Sequence, residues 1–140
     1  MTDQTTTPDY VSVREVMSPS PYEIDGLATV REALHLMREE RVSSLVVSKR
    51  HHGDEFGLVL VHDIAEHIIV QGKSPDRTSV YEVMTKPVLT LDAEMNIKYA
   101  VRLLHRFGLS RALVLEGGSL IGIVTLRDLV LRHIPGDDDQ

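Results

Sequence analysis

Residues 13–17 read Val-Arg-Glu-Val-Met and return, as Val-Tyr-Glu-Val-Met, at residues 80–84. The segments that follow these two openers keep the same offset of 67 residues through their first helix. Self-similarity at a fixed period is the signature of a repeat architecture. The sequence therefore predicts two copies of one folding unit. Loops from both copies converge at the seam between them, so we expect a ligand there.

The composition indicates a globular protein with no membrane partner. Of its 140 residues, 42% are hydrophobic and 26% are charged, and no apolar run approaches the ~18 residues of a membrane span. The polar start lacks the features of a signal peptide, so we expect a cytoplasmic protein. Each repeat alone would be marginally stable, so the copies are expected to share a core.

Charge and cysteine content exclude several classes of function. The chain has no cysteine, which removes disulfides, thiolate metal sites and cysteine nucleophiles. Its net charge of −6 and its scarcity of aromatic residues argue against nucleic acid as the main partner.

Changes in composition along the chain mark its expected organisation. A flexible lead covers residues 1–11, and the first repeat covers residues 12–70. A polar linker rich in Gly, Pro and Ser follows at 71–78. The second repeat spans 79–134, and an acidic tail closes the chain at 135–140.

The pattern of apolar and turn residues in each repeat predicts the element order β-α-β-β-α. This order is a fold of the α+β (α/β) class, in which two helices cover a small mixed sheet. Capping residues are expected at Thr29 with Glu32 and at Asn96. A compact hairpin loop is expected at residues 116–119. The remaining elements are predicted as strands at 21–24, 45–47, 56–61, 88–91, 112–115 and 120–124, and as closing helices at 62–70 and 126–133.

The first helix of each repeat has an apolar stripe at positions i, i+3, i+4 and i+7: Val30, Ala33, Leu34 and Met37 in the first copy, and Ile97, Ala100, Val101 and Leu104 in the second. The openers, these helix stripes and residues 122–128 together resemble the CBS-domain family, named for cystathionine β-synthase. Residues 122–128 fit its Gly-h-h-Thr-x-x-Asp signature, in which h is apolar. The duplication resembles a tandem CBS pair, also called a Bateman module. That resemblance implies two repeats packed with pseudo-two-fold symmetry, an adenine nucleotide (AMP, ADP or ATP) between them, and a homodimer. It implies regulation of an unidentified effector protein, not catalysis.

The second copy carries chemistry that suits a sugar phosphate. A strand that runs directly into a helix presents free N–H groups that attract phosphate. Thr125 adds a hydroxyl donor and Arg127 a cation, while the Asp128 carboxylate can accept hydrogen bonds from both ribose hydroxyls. The same Thr-x-x-Asp spacing also fits a capping box that stabilises the helix with no ligand.

The first copy departs from this pattern, because Leu60 stands where the second copy has Thr125. Asp63 keeps the carboxylate, so we expect a weaker phosphate grip there.

Further site residues come from positions that the family uses in its cleft: Ser43 and Ser44 in the first copy, Ser110 and Arg111 in the second. Arg111 also suits phosphate by its own chemistry, with a solvated surface arginine as the alternative. By analogy with the family, Pro87 and Val88 would line the adenine pocket, with ordinary strand packing as the alternative.

Two other functions stay open at this point. The chain could be a ligand-free dimerising structural adaptor whose Thr-Asp pair only caps a helix. It could also be a small metal enzyme centred on His51 and His52. Neighbouring histidines on an extended segment point to opposite sides, however, and seldom chelate one ion. We therefore expect no metal, no cofactor and no catalytic residue.

Overall fold

The computed structural model describes residues 10–134 and 136. Residues 1–9 of the expected lead, and residues 135 and 137–140 of the expected tail, lie outside this described part. The strands are β1 (Ser18–Pro19), β2 (Glu23–Ile24), β3 (Ser44–Val47), β4 (Gly57–Leu60), β5 (Thr90–Asp92), β6 (Arg111–Glu116) and β7 (Ser119–Thr125). The helices are α1 (Val30–Glu40), α2 (Val61–Ile64, continued as a π-helix over Ala65–Val70), α3 (Ile97–Phe107) and α4 (Leu126–His133).

The chain forms two compact units, and each contains the opener of the other repeat. One unit joins the segment that ends at Pro21 to the segment that begins at Leu89, and the other spans Tyr22–Val88. In both units the opener is a single turn of 3₁₀ helix, at Val13–Glu15 and at Val80–Glu82. The compact units therefore differ from the sequence repeats by an exchange of openers.

Each unit has its own small mixed sheet. The first unit contains a four-stranded sheet in the order β1-β7-β6-β5, and the second a three-stranded sheet in the order β2-β3-β4. In both sheets the first strand of the repeat body runs parallel to the second, and the last two strands are antiparallel. The mixed α/β fold predicted from the sequence is confirmed.

Each sheet is packed into a hydrophobic cluster that the exchanged opener completes. Val13 is fully buried against the α3 face in the first unit, and Val80 is fully buried against the α1 face in the second. The two clusters have no residue in common. Each of the two clusters therefore contains the opener of the other repeat.

Two glycines allow the openers to pack closely. A Cβ atom on Gly122 would collide with the Sδ of Met17 and lie 2.9 Å from the carbonyl oxygen of Ser18. Strand β1 follows Met17 directly and pairs with β7, with Pro19 opposite Gly122. At the equivalent place in the second unit, a Cβ on Gly57 would lie 2.6 Å from the Sδ of Met84. The signature glycine therefore serves to seat the opener methionine.

The predicted caps are confirmed. The Thr29 hydroxyl accepts a hydrogen bond from the Glu32 N–H at 3.1 Å, and the Glu32 carboxylate accepts one from the Thr29 N–H at 2.8 Å. The Asn96 side chain accepts a hydrogen bond from the Lys98 N–H at 2.9 Å. These polar residues satisfy N–H groups that have no partner inside the helix, which is why both helices begin where the sequence indicates.

The hairpin loop is also confirmed. Gly117 and Gly118 form a two-residue turn between β6 and β7 with φ angles of 58° and 83°. Only glycine adopts two successive positive φ angles readily, and this geometry matches the twist of the flanking strands. Strand β1 was not predicted from the sequence. At two residues it is too short to show a period, and it exists only because it pairs with β7.

Candidate functional site

A cavity of about 530 Å³ lies in the first unit where β7 ends and α4 begins. The Leu126 N–H donates to the carbonyl oxygen of Ser110 at 2.8 Å, which ties the start of the helix to the residue before β6. The lining residues are Ser110, Arg111, Thr125, Leu126, Arg127, Val130 and Leu131. The structure thus brings together four of the residues that the sequence assigned to a nucleotide site.

One residue of the cavity lining, Arg111, has a buried hydrogen-bond donor without an acceptor among the described residues. It faces Thr125 across the β6–β7 pair, so both side chains project from one end of the sheet. Its guanidinium Nε is buried and has no hydrogen-bond partner within the described part of the chain. An unsatisfied buried donor costs about 1–3 kcal/mol, and more on a charged group, so an anion that reaches this atom would recover that energy.

Thr125 is the N-cap of α4, which agrees with the interpretation of the Thr-x-x-Asp motif as a helix cap. Its Oγ1 accepts a hydrogen bond from the Asp128 N–H at 3.1 Å. A threonine hydroxyl has one donor hydrogen as well as acceptor lone pairs, so the capped state leaves that hydrogen available. Capping and ligand binding by Thr125 are therefore compatible.

Asp128, in contrast, does not complete a capping box. Its carboxylate is 44% exposed, and its recorded contact is with Nη1 of Arg127 at 3.5 Å, the outer limit of a hydrogen bond. In a capping box this carboxylate would bind the N–H of Thr125, as the Glu32 carboxylate binds the N–H of Thr29. Among the described residues, the Asp128 carboxylate is therefore held only by this long contact with Arg127, in the turn of α4 that follows Thr125.

The first repeat uses the same backbone with different chemistry. Ser44 faces Leu60 across β3 and β4, and the carbonyl oxygen of Ser43 accepts from the Val61 N–H at 3.0 Å. Here the Asp63 carboxylate does act as a cap, since it accepts from the Leu60 N–H at 3.0 Å. Leu60 and Ser44 thus replace the hydroxyl and the cation of the second repeat, and Asp63 is already engaged.

Six of the ten predicted site residues do not line the two described cavities: Ser43, Ser44, Asp63, Pro87, Val88 and Asp128. Pro87 is exposed and Val88 is half-buried, and both lie in the irregular segment before β5, at the end of the unit that spans Tyr22–Val88. Their role at an adenine ring stays a prediction.

A second cavity, of about 360 Å³, was not predicted from the sequence. It lies in the second unit, and the residues that line it are Gly26, Leu27, Val47, Ser48, Arg50, Gly57, Tyr81, Met84 and Lys86. These residues lie at positions between 26 and 86, so no local motif connects them. The available signal was the comparison between repeats, because Leu27 and Tyr81 stand where the other copy has Glu94 and Arg14.

An ion pair lies behind this second cavity. The Asp54 side chain is only 8% exposed, and its carboxylate accepts from the Lys86 ammonium at 2.6 Å and from the Arg50 N–H at 2.9 Å. The hydrogen bond from Lys86, followed by the one from the Arg50 backbone, holds the pKa of Asp54 well below its usual range.

A depressed pKa in the folded state predicts a defined loss of stability in acid. The contribution of Asp54 is fully present above its unfolded pKa of about 4 and declines as pH falls toward the lower folded value. We expect the free energy of unfolding to fall less steeply below about pH 4 in Asp54→Asn than in the wild type. Urea unfolding at a series of pH values measures both slopes, and parallel acid limbs would contradict this assignment.

No three His, Asp or Glu side chains within residues 10–134 and 136 are grouped so that they could hold a metal ion. His51 and His52 lie in an exposed turn. None of the helices in the described part is long and apolar enough to cross a membrane.

Comparison with known proteins identifies the family. The CBS-domain model matches residues 13–70 and again residues 80–133. The chain belongs to the CBS-domain family and carries the domain twice.

An uncharacterized protein of Methanopyrus kandleri is 32% identical over 121 residues, which are 86% of this chain and 59% of that protein. The chain therefore spans little more than half the length of this relative.

Solved structures share the fold. The hexameric CBS-CP12 protein from bloom-forming cyanobacteria superposes with a TM-score of 0.83 at 33% identity, over 89% of this chain and 69% of that one. The CBS domain of a bacterial CNNM/CorC family Mg²⁺ transporter, solved in complex with ATP, gives a TM-score of 0.73 at 26% identity, over 87% of this chain and 86% of that one.

Proposed function

We propose that the cavity beside Asp128 binds an adenine nucleotide of the AMP, ADP or ATP type, and that the chain is a regulatory module. The observation that carries this proposal is the buried Nε of Arg111, which lacks a hydrogen-bond partner in the described residues and belongs to a residue that lines the cavity. Asp128, three residues after Thr125 in the first turn of α4, adds a carboxylate whose contact with Arg127 is long. A donor and an acceptor in this arrangement suit a ligand with both an anionic and a hydroxyl-bearing part.

Each part of a nucleotide has matching side chains at this site. Arg111, Arg127 and the Thr125 hydroxyl are donors for phosphate, and the Asp128 carboxylate is an acceptor for the two ribose hydroxyls. Apolar surface for a base is available on the same cavity wall, at Leu126, Val130 and Leu131. The ATP complex of the related transporter domain supports the choice of an adenine nucleotide.

The regulatory part of the proposal rests on what the cavity can do chemically. Ser110 and Thr125 are the hydroxyl side chains of its lining, and the hydrogen bond that the Thr125 hydroxyl accepts comes from a backbone N–H, not from a general base. Binding without chemistry is therefore the expected activity, with the signal passed to a separate partner protein.

A homodimer is proposed as the working assembly. At the end of α4, Leu131 is 54% exposed and Ile134 is 67% exposed, and both are large apolar side chains on one short segment. Exposed apolar surface of this kind commonly marks a protein interface. The cytoplasmic location stays a prediction.

A thermal-shift screen with AMP, ADP, ATP and S-adenosylmethionine tests the nucleotide proposal. A ligand at 100 times its dissociation constant stabilises the fold by about 2.7 kcal/mol, which raises Tm by several degrees. Inorganic pyrophosphate is the matched control, because it has the charge but not the ribose and should give a smaller shift. If no nucleotide raises Tm, the protein is better explained as a dimerising adaptor whose Thr125 only caps a helix.

A further inference from the structure

The second cavity, in the unit that spans Tyr22–Val88, has apolar walls and a cationic rim. Leu27 and Tyr81 are 73% and 50% exposed, and Val47 and Met84 add further apolar surface. The charged residues among its described lining are Arg50 and Lys86, and both are positive. Apolar walls with a few polar groups at defined positions are typical of small-molecule sites, and the volume of about 360 Å³ is within their usual range.

The positive charge at the rim is only partly neutralised. Asp54 pairs with both cations, with Lys86 at 2.6 Å and with the Nε of Arg50 at 3.3 Å. One carboxylate thus faces two cations. Two further carboxylates contact lining residues and are already engaged: Glu23 accepts from the Ser48 hydroxyl at 3.1 Å, and Asp25 accepts from the Leu27 N–H at 2.8 Å. The ammonium and guanidinium groups keep N–H donors beyond those that Asp54 uses.

The equivalent position in the other unit provides an internal comparison. The Tyr81 N–H donates to the Gly26 carbonyl oxygen at 3.0 Å, just as the Arg14 N–H donates to that of Ala93 at 2.9 Å. At this position the backbone is therefore hydrogen-bonded in the same way in both units, while the side chains differ.

In the first unit, charged side chains fill the place that corresponds to the recess of the second unit. Arg14 pairs there with Glu94 at 2.9 Å and also with Glu116, so a cation and two carboxylates satisfy one another. In the second unit Tyr81 replaces the arginine, Leu27 replaces Glu94, and Lys49 stands at the position of Glu116. The substitutions remove the two carboxylates that hold the arginine in the first unit, and an apolar recess with Arg50 and Lys86 in its lining takes their place.

We propose that this recess binds a small organic monoanion, with an aromatic or aliphatic body against Leu27, Tyr81 and Met84 and its carboxylate or phosphate toward Arg50 and Lys86. The tyrosine ring provides a face for stacking, and the cations provide charge-assisted hydrogen bonds to the anionic end. This site is separate in sequence and chemistry from the cavity beside Asp128, and it does not depend on nucleotide binding there.

Chemical-shift titration of the ¹⁵N-labelled full chain tests the proposal with three probes of one shape. Benzoate carries the negative charge, benzyl alcohol is neutral, and benzylamine is positive. We expect benzoate to bind most tightly and benzylamine most weakly, with benzoate shifts concentrated at the amides of Gly26, Leu27, Tyr81 and Lys86. Equal affinities for the three probes, or benzoate shifts located elsewhere, would overturn the proposal.

A pair of variants at Leu27 adds a test of charge. Leu27→Glu introduces the acidic residue of the other unit, while Leu27→Gln has nearly the same size and no charge. Because Leu27 is largely exposed, both variants should fold, and unchanged thermal unfolding would verify this. We expect Leu27→Glu to weaken benzoate binding about tenfold relative to Leu27→Gln, since a like charge then faces the ligand. Equal benzoate affinities of the two variants would also count against the site.

Discussion

Asp128→Ala should weaken binding of the nucleotide that gives the largest thermal shift by at least about tenfold. A hydrogen bond to a charged group contributes about 1.5–3 kcal/mol, and each 1.4 kcal/mol changes a dissociation constant about tenfold. Among the described residues the Asp128 carboxylate is held only by a long contact with Arg127, so its loss should appear mainly in binding and little in folding. Isothermal titration calorimetry of the wild type and the variant measures the effect.

The stability of the unliganded variant is the first control. Removal of an acidic side chain from the first turn of α4 costs only about 0.3–1 kcal/mol through the helix dipole. Asp128→Asn is the second control, because it keeps the shape and one acceptor oxygen, and we expect its affinity to lie between the other two. A nucleotide affinity that is unchanged in Asp128→Ala would remove Asp128 from the site.

Gly122→Ala should lower the free energy of unfolding by about 1–3 kcal/mol, the usual cost of overpacking a well-packed position. The new Cβ would collide with the Met17 side chain and lie 2.9 Å from the backbone oxygen of Ser18. A methionine can change rotamer, but the backbone of β1 must move away from β7. Urea denaturation of both proteins gives the difference directly.

Gly57→Ala is the matched control in the other unit. There the close contact is with the flexible end of Met84, and the nearest backbone oxygen, that of Thr85, lies at 3.3 Å. We therefore expect a smaller loss of stability from Gly57→Ala than from Gly122→Ala. No loss in either variant would mean that contact with the opener does not limit the packing, and an equal loss in both would contradict the role given to the backbone oxygen of Ser18.

Features that depend on neighbours in sequence could be predicted. The caps at Thr29 and Asn96 are local, because an oxygen and the N–H groups that it accepts are two or three residues apart. The turn at Gly117–Gly118 is local for the same reason, and its conformation demands glycine. Helices α1 and α3 could be predicted because their apolar residues repeat with a period of 3.6 residues over three turns.

Features that depend on distant segments could not be predicted. Nothing in Val13–Glu15 or in Val80–Glu82 indicates that each opener packs against the other repeat, because both copies have the same pattern and fit either core. The buried Nε of Arg111 lacks a partner because of the residues that the fold places around it, such as Thr125 on the paired strand, and these are not its neighbours in sequence. The second cavity could not be predicted from the sequence of one repeat. The available signal was the difference between Tyr81 and the equivalent Arg14 of the other repeat.

The central claim, that the cavity bounded by Arg111 and Thr125 holds a nucleotide, is tested most directly by a crystal structure. The crystals should be grown with the nucleotide that most raises Tm. We expect electron density in this cavity, with phosphate within hydrogen-bond distance of the Arg111 guanidinium and ribose hydroxyls on the Asp128 carboxylate. Density for that nucleotide at another place, with this cavity empty, would contradict the account.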